Sequence, residues 1–205
     1  MNVRLEYDMT WNAAIWFEGR LQINEYTAEL SIYTNTTDQD DHVTSLARLN
    51  HFVYHELTNT VFINQTDQDQ MQALTTAGIN ITTLPAEPID QIIGIALYCK
   101  LNAILEQRMI VTNVTIQSTL GDNVRYLHSD QESLGPCEGE PGWWFDTGPV
   151  HSNFKSTISN KRQVVKLTRT PTWRDLDLEW SGTPAPVTDS ATNTVMFAKF
   201  PADEN

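Results

Sequence analysis

The chain has 205 residues, of which 40% are hydrophobic, so it can bury one sizeable core, and its length favours a single domain. Its formal net charge of −13 disfavours a polyanionic partner such as nucleic acid, because like charges repel at long range. Two cysteines cannot supply a disulfide framework, and the longest apolar stretch, near residues 92–98, is too short to span a bilayer.

Alternation of apolar and polar side chains predicts two strands near the start of the chain, one over residues 15–23 and the next over 28–32. Hydroxyl and acidic residues at 36–41 follow them. Such side chains cap a helix N-terminus and complement its dipole, so a helix with an apolar stripe is predicted over 43–57.

The middle of the chain combines short helical segments with a second pair of strands. A capped segment over 66–77 precedes a buried central helix that begins near Pro88 and Asp90. Alternation over 113–117 and 124–127 then predicts a second hairpin, since the residues between these runs favour a turn.

This order of elements predicts an α+β fold in which an antiparallel sheet carries helices on one face as a two-layer sandwich. We assign residues 1–128 to the core domain. Residues 129–205 are predicted to form a long loop and a C-terminal arm with two late strands, near 173–180 and 194–200.

Charge is strongly segregated along the chain. Residues 1–150 carry a balance of −14, residues 151–174 carry +6 with no acid, and residues 175–205 carry −5. A basic segment attached to an acidic body can contact other copies, fold back on its own body, or bind nucleic acid. Nucleic-acid binding is the least favoured of the three, because the acidic body repels a polyanion. The predicted interaction residues are Lys155, Lys161, Arg162, Lys166, Arg169 and Arg174.

Trp143, Trp144 and Phe145 lie between glycines and prolines in the long loop. Aromatic side chains in such a setting can bind a partner or anchor the loop to the body. The acids around them do not suit single-stranded nucleic acid. We therefore count the three as interaction candidates, with anchoring as the alternative.

Two groups of side chains are weak metal candidates. His51 and His55 lie four residues apart on a predicted helix, but Arg48 lies beside them and Glu56 should point elsewhere, which favours solvated histidines. Asp175, Asp177 and Glu179 would share one side of a late strand, as in an oxygen-ligand cation site, although an amphipathic strand needs no ion.

The remaining signals do not indicate a known chemistry. Cys99 is predicted to be a core residue, and Cys137, in a Gly/Pro loop, is predicted to be exposed. Serine-hydrolase, phosphate-loop and dinucleotide motifs are absent from the sequence. We predict no cofactor and cannot assign a catalytic residue.

The layout of two strands, helical segments and two strands over residues 14–128 resembles the tunnelling fold of pterin and purine enzymes, whose subunits join sheet edges into rings. This chain departs from that family in two places. It has no His-x-His zinc motif after the first strand, and Gln117 stands where an acidic residue would hold the heterocycle.

A second resemblance comes from residues 88–128 together with Gly135-Pro136 and Gly142-Trp143-Trp144 in a lysine-poor chain. These features resemble uncharacterised acidic proteins of tailed phages, marine phages among them. The resemblance implies action in the host cytoplasm or in the virion, which agrees with a start that lacks the features of a secretory signal.

The favoured function is therefore a non-enzymatic assembly protein that associates with itself, or with a phage or host protein, through sheet edges and the basic segment. One alternative is an oligomeric pterin-type or purine-type enzyme with an intersubunit site that uses His51, His55, His128 or Glu132. Another is an acidic inhibitor that imitates nucleic acid.

Overall fold

Six strands and three helices account for most of the residues that the structure describes. The structure is a computed structural model, and it describes residues 4–139, 142–150 and 171–182. The strands are β1 (Arg4–Phe17), β2 (Arg20–Thr34), β3 (Val61–Asn64), β4 (Ile81–Leu84), β5 (Met109–Ser118) and β6 (Arg125–Ser129). The helices are α1 (Gln39–His51), which continues as a π-helix (Phe52–Leu57), α2 (Gln68–Thr76) and α3 (Asp90–Leu105).

The first two strands form one long hairpin whose register is unbroken from Arg4 opposite Tyr33 to Phe17 opposite Arg20. Its turn consists of Glu18 and Gly19, at φ 50° and 74°, the two positive values that a tight two-residue hairpin turn requires.

The predicted first strand, over residues 15–23, is wrong because it runs across this turn. Alternation continues across a two-residue turn while the facing reverses. Ile15 therefore faces the core and Ile23 faces the opposite side of the sheet, where it is 82% exposed.

The fold is α+β as predicted, but the six-stranded sheet is mixed, with the order β4-β3-β1-β2-β5-β6. The prediction of an antiparallel sheet is wrong because β3 runs parallel to β1, and β4 runs parallel to β3. The helix α2 connects β3 to β4, and a helical crossover returns the chain in the same direction. Apart from this insertion, the chain follows the predicted order of a hairpin, helices and a second hairpin.

The start of α1 follows from its sequence. The Asp38 side chain caps α1 by accepting a hydrogen bond from the Asp40 amide. The central helix α3 begins at Asp90, and most of its residues are buried, including Cys99 as predicted.

Residues from both sides of position 128 share one buried cluster, since Cys137, Trp144 and Trp173 pack with the core of the sheet and α3. The expected exposure of Cys137 is wrong, because its loop turns inward. Among the described residues, no helix combines the length and the apolar character needed to cross a membrane.

The predicted late strand over residues 173–180 is also wrong. Residues 173–177 form turns, in which the Leu176 and Leu178 amides both donate to the Trp173 carbonyl oxygen. Alternation of leucines with acids therefore reflects a compact turn whose leucines pack on the core. The other predicted late strand, over 194–200, lies outside the described residues.

Gly94 sets the distance between α3 and the sheet. A Cβ atom at this position would lie 3.0 Å from Ile116 Cγ2 and 3.2 Å from Tyr126 Cδ1. Both contacts are tighter than ordinary packing distances, so the helix approaches the sheet at its one residue without a side chain.

We predict that Gly94→Val destabilises the fold by about 1–3 kcal/mol, because the Cβ atom of valine and its two methyl groups must displace Ile116 or Tyr126. Gly94→Ala should cost less, since it adds one methyl group and favours the helix. Urea denaturation monitored by circular dichroism measures both. A valine variant as stable as the wild type would show that α3 does not depend on this close approach.

Candidate functional site

The histidine candidates, His51 at the end of α1 and His55 in the π-helix, lie near the carboxylate of Glu56. The ring of His51 lies 5.0 Å from that of His55, and His51 Nε2 lies 3.4 Å from Glu56 Oε1. The expectation that Glu56 points elsewhere is wrong, because the chain becomes a π-helix at Phe52 and positions five apart then align. His55 is exposed, whereas Glu56 is buried.

Glu56 and the buried Lys100 hold the loop that follows the sheet. Lys100 Nζ donates to the carbonyl oxygens of Asp146, at 2.7 Å, and Gly148. The Val150 amide donates to Glu56 Oε2 at 2.6 Å. Burial lowers the pKa of Lys100 to about 8, although the nearby Glu56 and Asp146 carboxylates act in the opposite direction.

The aromatic candidates differ in exposure. Trp144 is buried, and its ring nitrogen donates to the Cys137 carbonyl oxygen at 3.4 Å. Trp143 donates to the Thr83 carbonyl oxygen at 2.6 Å. Phe145 is 45% exposed. The two tryptophans therefore tie the loop to the body, and Phe145 is the one whose ring is presented to solvent.

A buried arginine that the sequence analysis did not single out holds residues 171–182. The guanidinium of Arg48 lies 4.7 Å from the Trp173 ring centroid and 3.9 Å from that of Trp180. Its Nε donates to the Leu178 carbonyl oxygen at 2.8 Å, and its Nη1 lies 2.7 Å from Glu106 Oε1. Stacking between two indoles with a carboxylate partner is a setting that suits arginine.

The acidic candidates of this segment do not converge. Asp175 accepts hydrogen bonds from the amide and hydroxyl of Thr172, and Asp177 lies in a turn at φ 59°. Glu179 Oε2 lies 3.9 Å from Nε of the exposed Arg174. Throughout the described ranges, no group of three or more His, Cys, Asp or Glu side chains is placed to hold a metal ion.

The other candidates for an enzyme site, His128 and Glu132, lie on β6 and just after it. His128 on β6 is fully buried, with its Nδ1 3.4 Å from Glu132 Oε2 and its ring 4.7 Å from the Tyr98 ring. Burial lowers the pKa of His128, and Glu132 acts in the opposite direction. Gln117 accepts a hydrogen bond from Arg125. The five bases Lys155, Lys161, Arg162, Lys166 and Arg169 lie outside the described residues.

Among the described residues, the large apolar side chain with the highest exposure, Ile23, lies at the closed end of the first hairpin, which we call the hairpin end (residues 13–24). The last residue of β5, Ser118, pairs with Tyr26, and Thr119 still binds Glu25, so residues 20–23 project roughly 13 Å past the neighbouring strand. On the face away from the helices, Ile23 is 82% and Leu21 is 48% exposed. No sequence signal distinguished these residues from core residues, because their spacing suits a strand.

A cleft lies on the other face of the hairpin end, between Phe17 and the start of α3. Its volume is about 430 Å³. Asp90 lines it and accepts a hydrogen bond from the Ser118 hydroxyl at 2.8 Å. Burial raises the pKa of Asp90, and the hydrogen bonds from Ser118 lower it. Its apolar lining includes Ile15, Phe17, Pro88, Ile89, Leu120, Val124 and Tyr126.

Comparison with known proteins gives similarity of structure alone. No protein-family model matches the chain, and no curated protein matches it significantly. The uncharacterized protein WS1659 from Wolinella succinogenes is 9% identical, with 64% of this chain and 99% of that chain covered at a TM-score of 0.48. 6-Pyruvoyltetrahydropterin synthase from Plasmodium vivax is 12% identical, with 62% of this chain and 97% of that chain covered at a TM-score of 0.41. The same enzyme from Plasmodium falciparum is 9% identical, with 62% of this chain and 96% of that chain covered at a TM-score of 0.37. Similarity at this level indicates neither the activity nor the ligands of this chain.

We predict that Lys100 makes the stability of the protein depend on pH. The pKa of Lys100 lies near 8 in the folded chain and near the ordinary lysine value, 10.5, in the unfolded one. The unfolded chain therefore binds more protons between these values, and the contribution of Lys100 to stability rises with pH across the window, by on the order of 2–3 kcal/mol.

The test compares urea denaturation of the wild type and Lys100→Met from pH 7.5 to 10.5. Burial raises the pKa values of Cys99 and Cys137 to about 12 and about 11, so their contribution falls as pH rises, and both proteins share this effect. Subtracting the two curves isolates Lys100, and the difference should shift in favour of the wild type with increasing pH. A constant difference would mean that Lys100 stays charged in the folded protein.

Proposed function

We propose that the protein is a non-enzymatic assembly protein whose copies associate through the hairpin end. The observation that carries this proposal is the exposure of Ile23 and Leu21 on a hairpin that extends past its neighbouring strand. Contiguous apolar surface of this kind is uncommon on monomers and typical of protein interfaces.

The composition of the hairpin end supports the proposal. Residues 13–24 contain two aromatic residues, Trp16 and Phe17, and their charged residues are Glu18 and Arg20 alone. This part of the chain is therefore electrically neutral within a protein of net charge −13. Interface cores are depleted in charge and enriched in aromatic residues, so acidic bodies can approach one another at this end with the least repulsion.

A second copy suits this surface because the hairpin end offers two complementary shapes. One is the projecting apolar face of Leu21 and Ile23, and the other is the cleft beside Phe17 on the opposite face. Insertion of the first into the second, copy by copy, is a head-to-tail contact, which produces a ring if the rotation between copies closes and an open filament if it does not. The neighbouring exposed residues Ile89, Leu120 and Val124 enlarge the apolar area.

We also propose the other parts of the favoured hypothesis, namely phage origin and association through the basic segment. Phage origin and action in the host cytoplasm or virion rest on the sequence resemblance, and a phage or host protein is the other partner class. The enzyme alternative is less well supported, because His51 and His128 belong to different elements, and each lies beside its own carboxylate. For an imitator of nucleic acid, the acidic residues of the body are the supporting feature.

We predict that Ile23→Lys weakens self-association while leaving the fold intact. Ile23 is 82% exposed, so its replacement removes little from the core of one copy. Loss of one buried isoleucine from an interface costs about 1.5–3 kcal/mol per copy, which raises the dissociation constant at least about tenfold. Sedimentation velocity over a range of protein concentrations measures the change.

Val43→Lys is the matched control, because Val43 is 60% exposed on α1 and the substitution adds the same charge. Its association should equal that of the wild type, and both variants should show wild-type circular dichroism. A wild type that stays monomeric at tens of micromolar, or a Val43→Lys variant that dissociates as strongly as Ile23→Lys, would contradict the proposal.

A further inference from the structure

The cleft beside Phe17 contains a carboxylate on its wall. Of the described residues that line this cleft, Asp90 is the only acid, and most of the others are apolar. Asp90 is the first residue of α3, and the turn after β5 lies directly against it, since a Cβ atom at Gly121 would lie 2.7 Å from Asp90 Oδ2. The carboxylate is therefore partly enclosed in a single copy of the chain.

The polar surroundings of Asp90 supply a hydrogen bond but no base. The Ser118 hydroxyl donates to Asp90 Oδ2 at 2.8 Å. For Asp90, no ion pair is found in the described part of the chain. Burial raises the pKa of Asp90, and the hydrogen bonds from Ser118 offset this only in part. The first turn of a helix also favours a negative charge, but this effect is already present before any partner arrives.

The other titratable groups around the cleft do not change charge in the acidic to neutral range or are exposed. Burial raises the pKa values of Tyr26 and Tyr126 above the ordinary tyrosine value of 10.0, so both phenols stay neutral there. The acids next to the cleft in sequence, Glu87 and Asp122, are exposed and face solvent. Asp90 is therefore the group whose charge is most sensitive to a change in the solvation of the cleft.

An entering hairpin end covers Asp90 with apolar side chains and does not bring a base to it. Arg20 lies opposite Phe17, and side chains of directly paired residues point to the same face of a sheet. This face is the opposite of the one that carries Leu21 and Ile23. When Leu21 and Ile23 enter the cleft of the next copy, Arg20 of the same hairpin therefore points away from it. The other charged residue of the hairpin end is an acid.

An ionised carboxylate that loses its water without gaining a cation is costly, and such a group takes up a proton instead. We propose that Asp90 takes up one proton from the solvent when the hairpin end of a second copy enters the cleft, so that assembly strengthens as the pH falls. This inference rests on the proposed association through the hairpin end and adds the regulation of that contact.

The sign of the effect follows from proton linkage. Association removes water from Asp90 and so raises its pKa beyond the value in a separate copy. Between these two pKa values the associated form binds more protons than the separate copies, and the association constant rises as the pH falls across this window. One proton per contact changes the association constant by at most about tenfold per pH unit.

Sedimentation velocity of the full chain, from about pH 4.5 to about pH 7.5, tests the proposal by comparing the wild type with Asp90→Asn. Asparagine has nearly the same size, carries no charge, and keeps an oxygen that can accept the hydrogen bond from Ser118. Near neutral pH the variant should have a dissociation constant at least about tenfold lower than the wild type. The two dissociation constants should converge as the pH falls, because the wild-type carboxyl is then neutral as well.

Glu87→Gln is the matched control, because it also removes one negative charge from this end of α3 but at an exposed position. Glutamine keeps the oxygen that accepts a hydrogen bond from Asn64. This variant should follow the pH dependence of the wild type, which includes the general loss of repulsion between acidic bodies at low pH. Circular dichroism reports the fold of both variants.

An Asp90→Asn variant with the dissociation constants of the wild type at every pH would overturn the proposal. If Ile23→Lys still dissociated the wild type in that case, association through the hairpin end would stand without its regulation. Wild type and Asp90→Asn that are both monomeric at every pH would remove both proposals.

A measurement on the unmodified protein gives a second test. The heat of dilution of associated samples, compared between two buffers of different ionisation enthalpy, counts the protons released when copies separate. We expect proton release on dissociation, and no release at any pH in the range would overturn the proposal.

Discussion

The unbroken pairing of β1 with β2 is the constraint on which the rest of the structure depends. The two strands stay in register from Arg4 opposite Tyr33 to the turn after Phe17, and this hairpin is longer than the elements that cover it. On one side β5 ends at Ser118, opposite Tyr26, and on the other β3 reaches only Ala14 and Ile15. Within the described ranges, the parts of the hairpin without a neighbouring strand are therefore its closed end and one edge of its open half.

Buried charged side chains hold two described segments that follow the sheet, residues 146–150 and 171–182. Arg48 lies between two tryptophan rings of residues 171–182, and Lys100 and Glu56 hold the loop that contains Asp146. Burying such groups is costly unless hydrogen bonds compensate them, and each of the three has at least one compensating hydrogen bond. They hold Val150 and residues 173–180 against α1 and its π-helical continuation.

Periodicity predicted the central helix, the second hairpin and the α+β class, since these depend on patterns within single elements. It could not predict the parallel strands, because β4 has four residues and its direction is set by the crossover through α2. Periodicity also could not locate the hairpin turn at Glu18 and Gly19, because the alternation of apolar and polar residues continues through a two-residue turn without a break.

The candidate sites were harder to predict because they depend on contacts distant in sequence. Arg48 meets Leu178, which lies 130 residues away, and nothing near Arg48 in sequence indicates burial between indoles. A π-helix at Phe52 brings Glu56 to His51 against the ordinary helical spacing. The exposure of Ile23 depends on where β5 ends, so hydrophobicity alone places this residue in the core.

Oxidative footprinting of the unmodified protein tests association through the hairpin end most directly. Brief hydroxyl-radical exposure, read by mass spectrometry, should label Trp16, Leu21 and Ile23 less at high than at low protein concentration. Labelling of Val43 and Tyr54, which are exposed on the helical side, should not change. Equal labelling of the hairpin end at both concentrations, in samples that sedimentation shows to be associated, would contradict the account.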